Sequence, residues 1–139
     1  MDEEIKSAPF WLDKLGSCIS ANGNVSEECY FYTYPPVTGS QFPYVSYSDQ
    51  MYEFWKHLEA LGYAIPFQYT EWMSEFSKQN EPVQNLEWLD QCNKDTLNKF
   101  MFCLRRQERF SEGLWARRLA NGNLLKMYKR VLELEGLAS

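Results

Sequence analysis

Ser48-Asp49-Gln50-Met51-Tyr52-Glu53-Phe54-Trp55-Lys56-His57-Leu58-Glu59-Ala60-Leu61-Gly62 is the stretch that decides the architecture. Met51, Phe54, Trp55, Leu58 and Leu61 recur at steps of three and four, which lines one face of an α-helix. Ser48 offers a side-chain oxygen to the unpaired amides of the first turn, and Asp49 complements the positive end of the helix dipole. Gly62 suits the left-handed residue that closes a helix. The spacing predicts a helix from Asp49 to Leu61.

The same period continues downstream. Thr70 to Phe76 reads as a helix with Trp72, Met73 and Phe76 inward. Residues 79–92 are polar and broken at Pro82, with Leu86, Trp88 and Leu89 as a docking turn. Asp95-Thr96 starts the longest helix, which ends near Glu108 and carries Leu97, Phe100, Met101 and Leu104 as its core stripe. Ser111 opens the next, with Leu114, Trp115 and Leu119 inward, and Asn121-Gly122-Asn123 breaks it. Leu124, Met127, Tyr128, Val131 and Leu132 line the last helix.

Upstream, Ser7-Ala8-Pro9 opens a short helix whose face is Phe10, Trp11 and Leu15 and whose end is Gly16. A loop follows over 17–29, turning at Asn22-Gly23-Asn24. Tyr30-Phe31-Tyr32-Thr33-Tyr34 has strand composition, and Tyr44-Val45-Ser46-Tyr47 is a weaker second candidate. The expected class is mainly α: a compact bundle of five to six helices with a short two-stranded β ribbon near residues 30–47, paired extended loops being the alternative. One domain is expected over 1–139, divided into an N-terminal helix and loop (1–29), the ribbon (30–47) and a helical body (48–135).

With 139 residues, 45% apolar and 17% aromatic, the chain has ample material for a core, and intrinsic disorder is excluded by composition. Net charge is −5, divided as −9 over residues 1–100 and +4 over 101–139. The basic C-terminal part either lies against acidic N-terminal helices or faces water, or it presents a basic face to an acidic partner or nucleic acid. Cys18, Cys29, Cys92 and Cys103 lack metal-site spacing and read as reduced thiols, with a Cys18–Cys29 bridge as the alternative. The start Met1-Asp2-Glu3-Glu4 has the wrong charge for a signal peptide, and no apolar run spans a bilayer, so a cytoplasmic setting is expected.

The densest polar stretch is Arg105-Arg106-Gln107-Glu108-Arg109-Phe110-Ser111-Glu112-Gly113-Leu114-Trp115-Ala116. Arg106, Arg109, Glu108 and Glu112 read as a structural ion-pair network fixing the angle between two helices; a carboxylate- or phosphate-binding surface and a catalytic centre are the other readings. Arginines at this density lower carboxylate pKa values, which suits ion pairing and argues against a proton shuttle near neutral pH. His57 sits off the apolar stripe and reads as a surface or boundary histidine, with Glu53 four residues earlier as a partner. No nucleophile elbow and no phosphate-cradling glycine loop occurs.

The run Arg-x-x-Glu-Arg-Phe-x-Glu-Gly over 105–113, followed by Ala116 and Gly122, resembles the C-terminal signature of an uncharacterised small bacterial domain-of-unknown-function family. Pro43-Tyr44-Val45-Ser46-Tyr47-Ser48, Phe54, Leu61-Gly62-Tyr63, Pro66-Phe67 and Trp72 fit the same pattern, so the resemblance spans roughly 43–132. It implies no assigned reaction. This chain has Gln68-Tyr69 where the family pattern has an Asp-Trp pair, so no acid role carries over to that position.

Tyr30, Tyr32, Tyr34, Tyr44 and Tyr47 crowd the ribbon region, either covering the helices or forming an adhesive patch. Nucleic acid is disfavoured because the charge around these rings is neutral to acidic. The expected function is non-enzymatic, through protein–protein contact, with those tyrosines and Arg105, Arg106, Arg117 and Arg118 as binding residues; no catalytic residue, metal ligand or cofactor is assigned. The alternatives are a phage or mobile-element inhibitor of a host defence complex, an enzyme with an unfamiliar site at Arg109, Glu112 and His57 with Tyr47, and a homodimer.

Overall fold

The computed structural model describes residues 8–20, 29–33, 46–111 and 113–137. Six α-helices and one antiparallel ribbon occur among them: α1 (Ala8–Gly16), β1 (Tyr32–Thr33), β2 (Ser46–Tyr47), α2 (Asp49–Leu61), α3 (Thr70–Gln79), α4 (Lys94–Gln107), α5 (Leu114–Ala120) and α6 (Asn123–Leu134). Two 3-10 turns, Val83–Asn85 and Leu89–Gln91, lead into α4. The mainly helical class and the helix number match the expectation from periodicity. The ribbon pairs Tyr32 with Tyr47 and Thr33 with Ser46, and β1 begins at Tyr32, two residues later than its tyrosine-rich sequence suggests. Ser7, the Asn22-Gly23-Asn24 turn, Tyr34, Tyr44 and Glu112 lie outside the described residues, as does the ring of Tyr32.

Helix α6 is the hub, packing on α1, α4, α5 and the second 3-10 turn. Its apolar face, Leu124, Met127, Tyr128, Val131 and Leu132, is buried. Full burial of one such side chain contributes about 1.5–3 kcal/mol, so this stripe outweighs any surface ion pair on the same helix. The stripe of α2 also lies inward: Met51, Phe54, Trp55 and Leu58 are buried, and Gly62 closes the helix at φ 95°. Helix α1 inserts Trp11, whose ring stacks on Phe31 (6.0 Å, 15°) and packs on Phe54 (5.3 Å). An aromatic seam therefore runs from the N-terminal helix into the centre of the bundle.

Helix starts differ from the sequence reading in instructive ways. Ser48 occupies the N-cap position of α2 without capping it. Its hydroxyl donates instead to the Tyr30 carbonyl (2.8 Å), and its amide to that of Phe31 (3.0 Å), so Ser48 ties the helix to the ribbon. The cap of α4 is Asn93, whose side chain accepts the Thr96 N–H at 2.8 Å. Helix α5 does not open at Ser111. It begins at Leu114 behind Gly113, which adopts φ 89°, a left-handed conformation that glycine enters without steric cost.

The reading of four reduced thiols is corrected: Cys18 and Cys29 form a disulfide, with Cα atoms 4.2 Å apart. The turn after α1 and the approach to β1 bring both cysteines to one buried place, an adjacency their separation of 11 residues does not reveal. Cys92 and Cys103 are free and buried, and burial pushes the Cys103 thiol up to about 12. No helix among the described residues is long and apolar enough to cross a membrane.

Candidate functional site

The polar stretch at 105–116 forms the joint between α4 and α5, and Glu108 stands at its centre. Glu108 Oε1 accepts the Tyr47 hydroxyl (2.9 Å) and the Trp115 N–H (2.9 Å), and Oε2 accepts the Gly113 N–H (2.8 Å). The Ala116 N–H in turn donates to the Tyr47 oxygen (3.0 Å). A short helix begins with amides that have no intrahelical partner, and here a carboxylate and a phenol from outside the helix satisfy three of these near α5. The Trp115 indole N–H closes the joint by donating to the Leu104 carbonyl (2.9 Å).

Among the described residues the geometry departs from the network expected of Arg106, Arg109, Glu108 and Glu112, the last of which lies outside them. Glu108 meets amides and a hydroxyl, and neither Arg106 nor Arg109 forms an ion pair with a described residue. The physical reason is proximity: the turn after α4 folds the amides of Gly113 and Trp115 onto the carboxylate, and hydrogen bonds to a charged acceptor contribute about 1.5–3 kcal/mol each, more than an exposed guanidinium pair.

The basic side chains have separate fates. Arg105 pairs with Glu59 of α2 and stands over the Trp55 ring. Arg106 stands over the Tyr69 ring at 5.9 Å. Arg117 donates to the Ser111 hydroxyl (3.1 Å). Arg118 makes no hydrogen bond or ion pair among the described residues, and burial, then the neighbouring Arg117 charge, lowers its pKa. Phe110 projects from the turn, 75% exposed.

Of the tyrosines, Tyr30 packs edge-on against Phe10 (5.6 Å) beneath the Lys14 ammonium. Tyr47 is held by Glu108 and Ala116, with its ring against Trp115 (5.0 Å). These two rings are engaged inside the molecule. His57 is half-buried, as a boundary histidine should be. It shares a hydrogen bond of 2.8 Å with the Tyr128 hydroxyl and stacks on Trp11 at 5.5 Å. Burial lowers the pKa of His57 and raises that of Tyr128, so both stay neutral near physiological pH. Among the described residues no hydrogen bond links His57 to the 105–113 joint.

A second polar knot ties the ends of α2, α4 and α6. Glu135 accepts the Tyr63 hydroxyl (2.7 Å) and pairs with Lys94 (3.1 Å). The Tyr63 bond and then Lys94 hold the Glu135 carboxyl below the usual range. No group of three or more His, Cys, Asp or Glu among the described residues is arranged to hold a metal ion.

The sequence reading passed over a third feature. Pro66, Phe67, Gln68 and Tyr69 run past Phe102 and Arg106 of α4 and enclose an open groove of about 420 Å³. Its signal was present in the sequence: Phe102 lies off the Leu97–Met101–Leu104 stripe, one turn from Arg106, so an aromatic ring sits on the polar side of α4.

A family of unknown function (DUF6508) matches residues 36–136, and the chain belongs to that family. No curated protein and no solved structure matches the chain.

Proposed function

We propose that the protein acts without catalysis, by binding another protein through the basic side of the α4–α5 region. The observation that carries this reading is the full engagement of Glu108. Glu108, the described carboxylate of this joint, already accepts three donors from its own chain, and one of them is the Tyr47 hydroxyl that the enzyme reading would use. Arg106 and Arg118, by contrast, have no carboxylate partner among the described residues, and Phe110 stands in solvent beside them in sequence. Aromatic and arginine side chains dominate the energetics of protein interfaces, and desolvated guanidinium groups reward an acidic partner.

The test is affinity capture from the source cell with the full chain, beside a variant carrying Arg106→Glu, Arg117→Glu and Arg118→Glu whose fold is checked by circular dichroism. The expected result is one protein recovered in stoichiometric amount by the native chain and lost with the variant. Recovery of no stoichiometric partner, or equal recovery by both, overturns the reading.

A further inference from the structure

From the groove beside α4 we infer a peptide-docking site for a segment of a partner protein that carries an aromatic residue flanked by acidic ones. This inference rests on the protein-binding reading and names the chemistry of the partner.

The groove is built from side chains that the core leaves over. The irregular segment 65–69 is anchored where the Ile65 N–H donates to Asn98 Oδ1 (2.8 Å). It then lays Phe67 and Tyr69 edge-on against Phe102, with centroids 5.6 and 6.0 Å apart. All three rings are only half-buried. The rings keep part of their surface in solvent, and a further aromatic ring packed there gains about 0.5–1.5 kcal/mol beyond its area burial.

Two cations border the rings. Arg106 stands 5.9 Å above Tyr69 with no carboxylate partner among the described residues. Lys99 stands 5.8 Å above Phe67, and its ion pair is with Asp95, a carboxylate largely in water. Aromatic faces flanked by a guanidinium and an ammonium complement a ligand that is aromatic and negatively charged. Neither cation is neutralised strongly enough to oppose this: exposed pairs of the Lys99–Asp95 kind contribute about 0.3–0.5 kcal/mol.

The backbone identifies that ligand as a polypeptide. The amides and carbonyls of Phe67 and Gln68 make no hydrogen bond among the described residues. Both residues line the groove, and an extended chain pairs with free backbone groups of this kind through its own backbone. The groove is also wide open to solvent, whereas small-ligand sites bury most of their ligand's surface. A free aryl acid would use the rings and Arg106 and leave the backbone groups to water.

The test is a titration of the ¹⁵N-labelled full chain with the synthetic peptide acetyl-Gly-Glu-Phe-Glu-Gly-amide. Two controls accompany it, one with Ala for the central Phe and one with Lys for both Glu. Shift changes are expected at Phe67, Gln68, Tyr69, Phe102 and Arg106, with submillimolar affinity that falls as salt rises. Each control peptide and the Arg106→Glu protein should bind at least about tenfold more weakly, and Lys129→Glu, on the exposed side of α6, should bind like the native chain. Shifts absent or centred elsewhere, equal binding of the Lys peptide, or indifference to Arg106→Glu overturns the inference. A captured partner that still binds Arg106→Glu also overturns it while leaving the protein-binding reading intact. Capture of no partner removes the broader reading.

Discussion

Two sides of the same helix, α4, end in opposite states. On one, Arg105 reaches the Glu59 carboxylate, and Glu108, just past the helix end, collects the Tyr47 hydroxyl and the amides of Gly113 and Trp115. On the other, Phe102 and Arg106 border an open groove with rings as their only described neighbours of note. All four residues come from a few turns of chain with similar composition. The difference lies in what the rest of the fold brings to each: β2 and the start of α5 close over one side, and an irregular segment with unpaired amides skirts the other. Charge density alone leaves the two sides alike; the partners that the fold brings to each tell them apart.

The comparison breaks most visibly at Glu108. Glu108→Ala leaves one hydroxyl and two amides without their acceptor, and the expected loss is about 3 kcal/mol or more by urea denaturation, given about 1–3 kcal/mol for each donor stranded in a buried setting. A loss below 1 kcal/mol, on the order of a surface substitution, would mean that this side is no more closed than the groove. Tyr47→Phe removes one of the three bonds and strands the Ala116 N–H, so about 1–2 kcal/mol is expected from the same measurement.

His57 sharpens the picture from an intermediate position, engaged yet half-buried. Burial holds its pKa below the ordinary value, so the unfolded chain takes up a proton more readily than the folded one. Its contribution to stability is therefore complete above about pH 6.5 and is lost as pH falls from there through the folded value. Glu135 responds further into acid: its pKa is lowered by Tyr63 and Lys94, so its contribution is present above the unfolded carboxylate value and lost as pH falls through the folded one. Midpoints measured from pH 7 to 5 should decline in the native chain and decline less in His57→Gln; equal slopes would remove His57 as the cause. The smallest effect belongs to the open side, where Arg106→Glu should shift stability by less than about 0.5 kcal/mol while weakening binding of the acidic peptide at least about tenfold.

Local rules carried the sequence reading as far as local rules reach. Asp49–Leu61 and its Gly62 stop follow from spacing and one left-handed residue, and the structure has the same bounds. The stripes of α4 and α6 were equally plain, because burial imposes a period on them. The start of α5 was not, because Ser111 has the chemistry of a cap while the true cap comes from Glu108, whose role depends on Gly113 turning left-handed and on Tyr47 arriving from 61 residues away. The Cys18–Cys29 bond, open only as an alternative in the sequence, and the His57–Tyr128 hydrogen bond were not decided there for the same reason: each joins positions that only the folded chain makes neighbours. The groove was half visible, since Phe102 and Arg106 stand together off the stripe, but the wall opposite them is irregular and obeys no period.

The family match begins at residue 36, yet Trp11 of α1 sits wedged between Phe31, Phe54 and His57, and Leu15 is buried beside it. Sequence kinship and physical completeness thus have different borders in this molecule. A fragment trimmed to 36–136 would present an empty socket where the indole belongs, with the apolar flanks of α2 and α6 turned to water; such a piece would seek its own copies or precipitate, while the chain that keeps its first helix fills the socket itself.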